Sequence, residues 1–324
     1  MEKMKLKLLY TDIKPDIEII EKELEKALNS SSHLLNDASI HLLQAGGKRI
    51  RPVFVLLSAK FGDYNIERMK NIAVPLELIH MASLVHDDVI DNSDMRRGRH
   101  TVKAQWNNRV AMYTGDFIFA RALEYVTVIE NPRAHQILAR TMVEICNGEV
   151  IQIEDKFRLN QNLKDYFRRI KRKTALLIES SCELGAVVGG VDEKNTRHLK
   201  RYGYFVGMSF QIVDDILDFT ATDKELGKPA GSDLLHGNMT LPILLMKDDP
   251  KIQPYIEKVS VGELSETERK EMLQIVRKSA AIKQAMHISE LYLKKALKEI
   301  EGLPNHPMKK KLRDIALFIG KRKF

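Results

Sequence analysis

Two clusters of carboxylates are the residues of this chain best placed to do chemistry. In HMASLVHDDVIDNSDMRRGRHT, Asp87, Asp88 and Asp91 close an apolar helical pattern. Asp87 and Asp91 stand four residues apart and share a helix face, so their like charges destabilise the helix unless something neutralises them. Oxygen-only ligation by a few carboxylates, completed by substrate phosphates, is magnesium chemistry. In GMSFQIVDDILDFTATDKELGKP the D-D-x-x-D spacing returns at Asp214, Asp215 and Asp218, with Gln211 one turn earlier. A single motif of this kind is more often a solvated acidic patch. Two of them, each within an otherwise apolar helix, favour a carboxylate cage for several metal ions, facing each other across a bundle core.

Metals in such a cage need an anion to bridge, and matching cations lie close by in sequence. Arg96 and Arg97 follow the first cluster, and Lys228 follows the second. Further upstream, LLQAGGKRIRPVF puts Lys48, Arg49 and Arg51 directly after a Gly-Gly break. Glycines let the backbone approach a diphosphate, and Lys and Arg supply point-charge and bidentate contacts. The loop lacks the G-x-x-x-x-G-K-S/T spacing of a P-loop and no strand precedes it, which argues against nucleotide-triphosphate hydrolysis.

The elements that must position these groups read as helices. Apolar residues recur with a 3.6-residue rhythm, as at Ile17, Ile20, Leu24 and Leu28, and strand-like alternation is scarce. Breaks fall at Asn29 to Ser32, Gly46 and Gly47, Gly62 to Tyr64, Asn131 and Pro132, Gly189 and Gly190, Gly227 to Gly231, Pro250, and Gly302 to Pro304. No Pro/Ser-rich linker or internal repeat interrupts the pattern, so residues 1–324 are expected to form one all-α domain. With 44% hydrophobic residues the chain can bury a sizeable core. No segment looks like a signal peptide or membrane span, and the expected location is cytoplasmic. Cys146 and Cys182 lack C-x-x-C spacing and read as small packed residues rather than a disulfide or zinc pair. A formal charge of +8 attracts anions: nucleic acid, phosphorylated small molecules or acidic membrane. Basic residues beside carboxylates disfavour nucleic acid, whose phosphates those carboxylates would repel.

Over essentially its whole length the sequence resembles the trans-polyprenyl diphosphate synthases. The matching pieces occur in family order: G-G-K-R-I-R-P at 46–52, E-L-I-H at 77–80, D-D-V-I-D with R-R-G at 87–98, K-R-K-T at 171–174, F-Q-I-V-D-D-I-L-D at 210–218 and G-K-P-A-G-S-D at 227–233. Within the family, the spacing and the C-terminal I-G-K-R-K-F are similar to the catalytic component of two-component bacterial heptaprenyl diphosphate synthases. The resemblance implies a single helical bundle of the isoprenoid synthase type with a central cavity. It also implies a prenyltransferase that uses magnesium, roughly three ions per site. The enzyme would condense isopentenyl diphosphate with an allylic diphosphate, expected to be farnesyl diphosphate. The long all-trans product, expected to be heptaprenyl diphosphate, would supply a menaquinone side chain.

The same resemblance assigns roles by position. Asp87, Asp91, Asp214 and Asp218 would hold metal, with Asp88 and Asp215 completing the catalytic motifs. Lys48, Arg51, His80 and Arg97 would hold the diphosphate of isopentenyl diphosphate, with Arg49 beside them. Arg96 and Lys228 would hold the allylic diphosphate, and Lys173, Thr174 and Gln211 would lie along the carbon where positive charge develops. His80, seven residues before Asp87 and on the same face, reads as a diphosphate donor rather than a proton shuttle, and His86 as a packed histidine.

Short-chain members of the family carry bulky aromatics four or five positions before the first cluster. Ala82 and Ser83 stand there in this chain and imply an open tunnel, with Met112 and Phe117 as candidates for its floor. Relatives of this subtype work with a small non-catalytic component, so a heteromer is expected, alongside a possible homodimer-like assembly and at most peripheral membrane contact. A class I terpene cyclase would not need Lys48, Arg51 and Arg97, and a non-catalytic subunit would be expected to have lost an aspartate cluster.

Overall fold

The computed structural model describes residues 11–226 and 229–320, so Lys228 and the terminal Lys321, Arg322 and Lys323 lie outside the described residues. The chain is all-α as expected, and its contacts gather into two compact units. The first contains the chain up to Met142, Leu177–Gly203 and Glu299–Ile315; the second contains Val143–Leu176, Tyr204–Lys298 and the chain from Ala316 onward.

In the first unit, α1 (Lys14–Ala27) has a proline in its first turn and buries Ile20, Leu24 and Ala27. Helix α2 (His33–Gln44) starts at Ser32, whose hydroxyl accepts the Leu35 N–H. Helix α3 (Ile50–Ala59) is apolar around almost its whole circumference and is buried from Pro52 to Ala59, the signature of a central helix. Helix α4 (Ile66–Ile90) is capped by Asn65, and it packs along α6 (Asn108–Thr127). Between them lie a hairpin, β1 (Met95–Arg96) with β2 (Arg99–His100), and the short α5 (Val102–Gln105). The helical rhythm gave no sign of this hairpin. Its two central residues, Arg97 at φ 53° and Gly98 at φ 77°, make the left-handed turn that matches strand twist.

Helix α7 (Pro132–Asp155) leads into the second unit's chain segments. There α8 (Leu163–Ile170) is held by a capping box between Asn162 and Asp165, and it runs directly into a π-helical turn, Lys171–Ala175. Helices α9 (Leu176–Val188) and α10 (Glu193–Thr220) follow, then three one-turn helices, α11 (Asp223–Leu226), α12 (Ser232–Leu235) and α13 (Leu241–Leu244). Helices α14 (Gln253–Ser260), α15 (Glu266–Lys278), α16 (Ala280–Glu301) and α17 (Pro307–Gly320) complete the described chain. The second unit's core gathers Tyr166, Met208, Ile212, Phe219, Leu241 and Met272. A Cβ on Gly207 would lie 2.5 Å from the Ala175 Cα, so only a glycine lets α10 pass this close to the π turn.

One expectation is corrected. Cys182 is buried but Cys146 is exposed. On α7 it continues a stripe with Val143, Val150 and Ile153, which are 60%, 55% and 49% exposed, so an apolar rhythm that reads as core faces outward. No helix among the described residues is long and apolar enough to cross a membrane.

Candidate active site

In the first unit, arginines gather around one carboxylate. Arg49 takes a left-handed backbone at φ 47° just before α3, which turns its side chain back to α1 and α4. Its Nε and Nη2 donate to the two Glu21 oxygens at 2.6 and 3.1 Å, and Nη1 donates to Glu77 Oε1 at 3.1 Å. The expected ligand Arg49 is therefore anchored as a strut, with most of its donors turned to protein carboxylates. A Cβ on Gly47 would lie 3.2 Å from both Arg49 Nη1 and Arg97 Nη1, so the bare glycine makes room for two guanidiniums to meet. Burial lowers the Arg51 pKa to about 10, with Glu77 opposing the shift and Arg97 adding to it. Its Nε is buried and has no hydrogen-bond partner among the described residues, and the same holds for Glu77 Oε2.

His80, one turn along α4 from Glu77, is pushed well below the usual histidine range by burial and then by Arg51, Arg97, Arg96 and Arg49. It is a neutral imidazole among cations, able to donate to an anion without adding charge. Such a concentration of guanidiniums around a single buried glutamate is electrostatically incomplete, and a diphosphate would complete it.

The first aspartate motif terminates α4. Asn92 takes φ 50°, the Asn92 N–H bonds the Val89 carbonyl, and the Ser93 N–H bonds the Asp88 carbonyl. This two-bond closure ends the helix on its acidic residues. Asp88 is 2% exposed and receives Arg96, with Nε at 2.9 and 3.1 Å and Nη2 at 2.7 Å. Burial raises the Asp88 pKa; Arg96 pulls it down, and Asp87 and Asp91 push it up again. Asp87 and Asp91 are half-buried. Arg96, expected on the allylic diphosphate, thus holds Asp88 in place. Ala82 is wholly buried, whereas Ser83 is half-buried and donates back to the His80 carbonyl at 2.9 Å. Met112 is 40% exposed and Phe117 half-buried. His86 packs as expected, with Nε2 3.2 Å from the Met112 carbonyl and 3.4 Å from Asp116.

In the second unit, the second motif lies in the last two turns of α10. Asp214 is half-buried. Asp215 is 3% exposed, and burial, then Asp233, raise its pKa to about 7 against the pull of Tyr166, Gln211 and Arg169. Tyr166 donates to Asp215 Oδ2 at 2.6 Å, Gln211 Nε2 donates to Asp215 Oδ1 at 2.8 Å, and Thr174 donates to Gln211 Oε1 at 2.5 Å. Lys173 is steered by Gln152, whose Oε1 accepts from its ammonium at 2.7 Å. The π turn that carries Lys173 and Thr174 is the kind of helical irregularity that re-aims side chains at functional sites. Asp218, expected as a metal ligand, also bonds protein groups. It is 1% exposed and accepts from Ser232 Oγ and the Asp233 N–H, both at 3.3 Å, so its carboxylate organises the start of α12.

Among the described residues, no three acidic, histidine or cysteine side chains converge as a ready-made metal site. The chemistry of the donors nevertheless suits a hard divalent cation. Both motifs sit at helix C-termini, where the helix dipole adds negative potential to carboxylates that already repel. Half-buried Asp87, Asp91 and Asp214 offer only oxygen, and ligands of this kind bind magnesium together with a phosphate rather than alone. Glu21, Glu77, Tyr166 and Gln152 join the site although no catalytic motif marks them in the sequence. Of these, only Glu77 left a signal: a charge inside the apolar run of α4, one turn before His80.

Comparison with known proteins points the same way. The polyprenyl synthetase family model matches residues 32–281. Heptaprenyl diphosphate synthase component 2 of Geobacillus stearothermophilus is 55% identical over 321 residues, 99% of this chain and 100% of that protein. The crystal structure of heptaprenyl diphosphate synthase from Staphylococcus aureus has a TM-score of 0.90 at 46% identity, covering 96% of this chain and 98% of that one. A polyprenyl synthase from Caulobacter crescentus, crystallised with calcium and isoprenyl diphosphate, has a TM-score of 0.93 at 30% identity, with 98% of each chain covered.

Proposed function

The chain belongs to the polyprenyl synthetase family and is a trans-prenyltransferase, and from that premise we propose that it extends farnesyl diphosphate with isopentenyl diphosphate units to heptaprenyl diphosphate. The observation that carries the elongation reading is the guanidinium cluster around Glu77, which suits a diphosphate held by protein cations and differs in composition from the aspartate motifs. A terpene cyclase ionises one diphosphate and has no use for a second such site.

Lys48, Arg51, Arg97 and neutral His80 hold the diphosphate of isopentenyl diphosphate, and Glu77 with Arg49 keeps the cations in register. Magnesium, when bound, would neutralise the departing allylic diphosphate, and each aspartate motif offers ligands for it, Asp87 and Asp91 in the first and Asp214 in the second. The Thr174 hydroxyl donates inward to Gln211, so its lone pairs remain available to the carbon that becomes positive. Lys173, oriented by Gln152, supplies a charge for the leaving diphosphate. The isopentenyl double bond attacks the cation, and the released diphosphate takes the proton, so no protein base is required. Small Ala82 and Ser83 suit a long product. The relatives' designation as component 2 supports a partner subunit, and the exposed stripe of Val143, Cys146, Val150 and Ile153 supplies an apolar face for association. The enzyme is assigned to the cytoplasm, with peripheral membrane contact at most.

The test mixes the purified chain with labelled isopentenyl diphosphate, farnesyl diphosphate and magnesium, with and without a small partner component, and separates products by chain length. Heptaprenyl product in the presence of the partner is expected; shorter products alone would move the length assignment. Absence of elongation by folded protein under every condition would overturn the proposal.

A further inference from the structure

We propose that Tyr166 is a positioning residue for prenyl transfer, acting through Asp215 and Gln211 to aim the lone pairs of the Thr174 hydroxyl. This rests on the prenyl transfer proposed above. Tyr166 is fully buried on α8, and its hydroxyl donates to Asp215 Oδ2 at 2.6 Å. Asp215 lies one turn after Gln211 on α10 and accepts from its Nε2 at 2.8 Å. Thr174 stands two turns after Tyr166, in the π turn, and donates to Gln211 Oε1 at 2.5 Å. The four side chains form a ladder between two chain segments, with Tyr166 and Thr174 as the rungs' outer ends and Gln211 and Asp215 as their inner ends.

The direction of each bond follows from the one before it. Asp215 accepts on both oxygens, from the Tyr166 hydroxyl on Oδ2 and from the Gln211 NH2 group on Oδ1. The Gln211 carbonyl oxygen is then turned toward Thr174, and Thr174 must spend its single proton on it. What remains outward on Thr174 is oxygen lone pairs, the polarity that stabilises a developing carbocation. If the amide were reversed, Thr174 would accept from Gln211 and its proton would be free to face the cation, which is repulsive. Tyr166 secures the chain from the far end by fixing the second carboxylate oxygen. It also stacks edge-on to Phe167 with ring centroids 5.4 Å apart, which limits its own movement.

Tyr166→Phe removes one oxygen and keeps the ring. Elongation kinetics are measured for the wild type, Tyr166→Phe, Thr174→Val and the double variant. Tyr166→Phe is expected to lower kcat about thirtyfold, to leave both KM values within about twofold, and to have no further effect once Thr174 is valine. The same loss in both backgrounds, a loss confined to KM, or an unchanged kcat would each overturn the proposal. Should Tyr166→Phe fail to fold, Asp215→Asn takes its place in the same cycle, and losses that simply multiply with those of Thr174→Val count against the relay. A folded wild-type assembly that shows no elongation would instead refute the prenyl-transfer premise, so the two failures are distinguishable.

Discussion

Asp88 and Asp215 occupy the same place in the two D-D-x-x-D motifs, both are almost wholly buried, and they are neutralised in different ways. Asp88 receives a guanidinium, from Arg96 on the neighbouring hairpin. Among the described residues the side chains that hydrogen-bond Asp215 are neutral, Tyr166 and Gln211, and its pKa rises to about 7. The first motif is thus an ion pair that fixes the hairpin bearing Arg97, and the second is a hydrogen-bonded relay that fixes Thr174. Equal spacing in sequence produces two different local structures: one motif holds a guanidinium, the other a chain of neutral dipoles that ends on Thr174.

The largest expected effect leaves the buried aspartates alone and removes the half-buried ones. Asp87→Ala and Asp214→Ala should each lower kcat about a thousandfold or more, with melting temperature unchanged or slightly raised because clustered like charges are relieved. Elongation assays alongside thermal melts would check this, and severe unfolding would give the clusters a structural role instead.

The contrast between the buried pair predicts a smaller, asymmetric effect on stability in metal-free protein. Asp88→Asn strands Arg96 and should destabilise by about 2 kcal/mol, less than a fully buried pair would lose because the Arg96 side chain is 30% exposed. Asp215→Asn should cost less than about 1 kcal/mol near neutral pH, since no cation among the described residues loses a hydrogen-bond partner. Its pH profile should also change. Asp215 has a folded pKa raised above the ordinary carboxylate value of 3.8, so its contribution favours folding at low pH and is lost as pH rises through about 7. Asparagine should flatten that decline in urea denaturation measured between pH 4 and 8. Equal losses for the two variants would erase the comparison.

Smaller still is the effect of His80. Its folded pKa lies below 6.5, so its neutral form supports folding above pH 6.5 and that support fades as pH falls toward the folded pKa. His80→Gln should remove this acid sensitivity, a change of about 1 kcal/mol between pH 7 and 5.5, read by the same denaturation method.

What could be read in the sequence divides along similar lines. The aspartate motifs were legible because charges interrupt an apolar helical rhythm, and the helix breaks were legible because glycine and proline punctuate it. The cations of G-G-K-R-I-R were visible, but their pairing with carboxylates was not: Glu21 and Glu77 each lie 28 residues from Arg49 in opposite directions, and only folding brings them together. Tyr166 was hidden for the same reason, being 49 residues from Asp215. Spacing alone likewise did not show that the Asp218 carboxylate, which matches Asp91 in the motif, accepts from Ser232 and the Asp233 N–H. Periodicity also cannot tell an apolar stripe in the core from one that faces outward, which is how Cys146 was misplaced.

Elongation as proposed requires one diphosphate site made of protein cations and another that depends on metal. Isothermal titration of the metal-free and magnesium-loaded protein with isopentenyl diphosphate, and separately with farnesyl diphosphate, tests this directly. Isopentenyl diphosphate should bind with similar affinity in both states, whereas farnesyl diphosphate should weaken at least about tenfold without magnesium. Equal metal dependence for the two ligands would contradict the account.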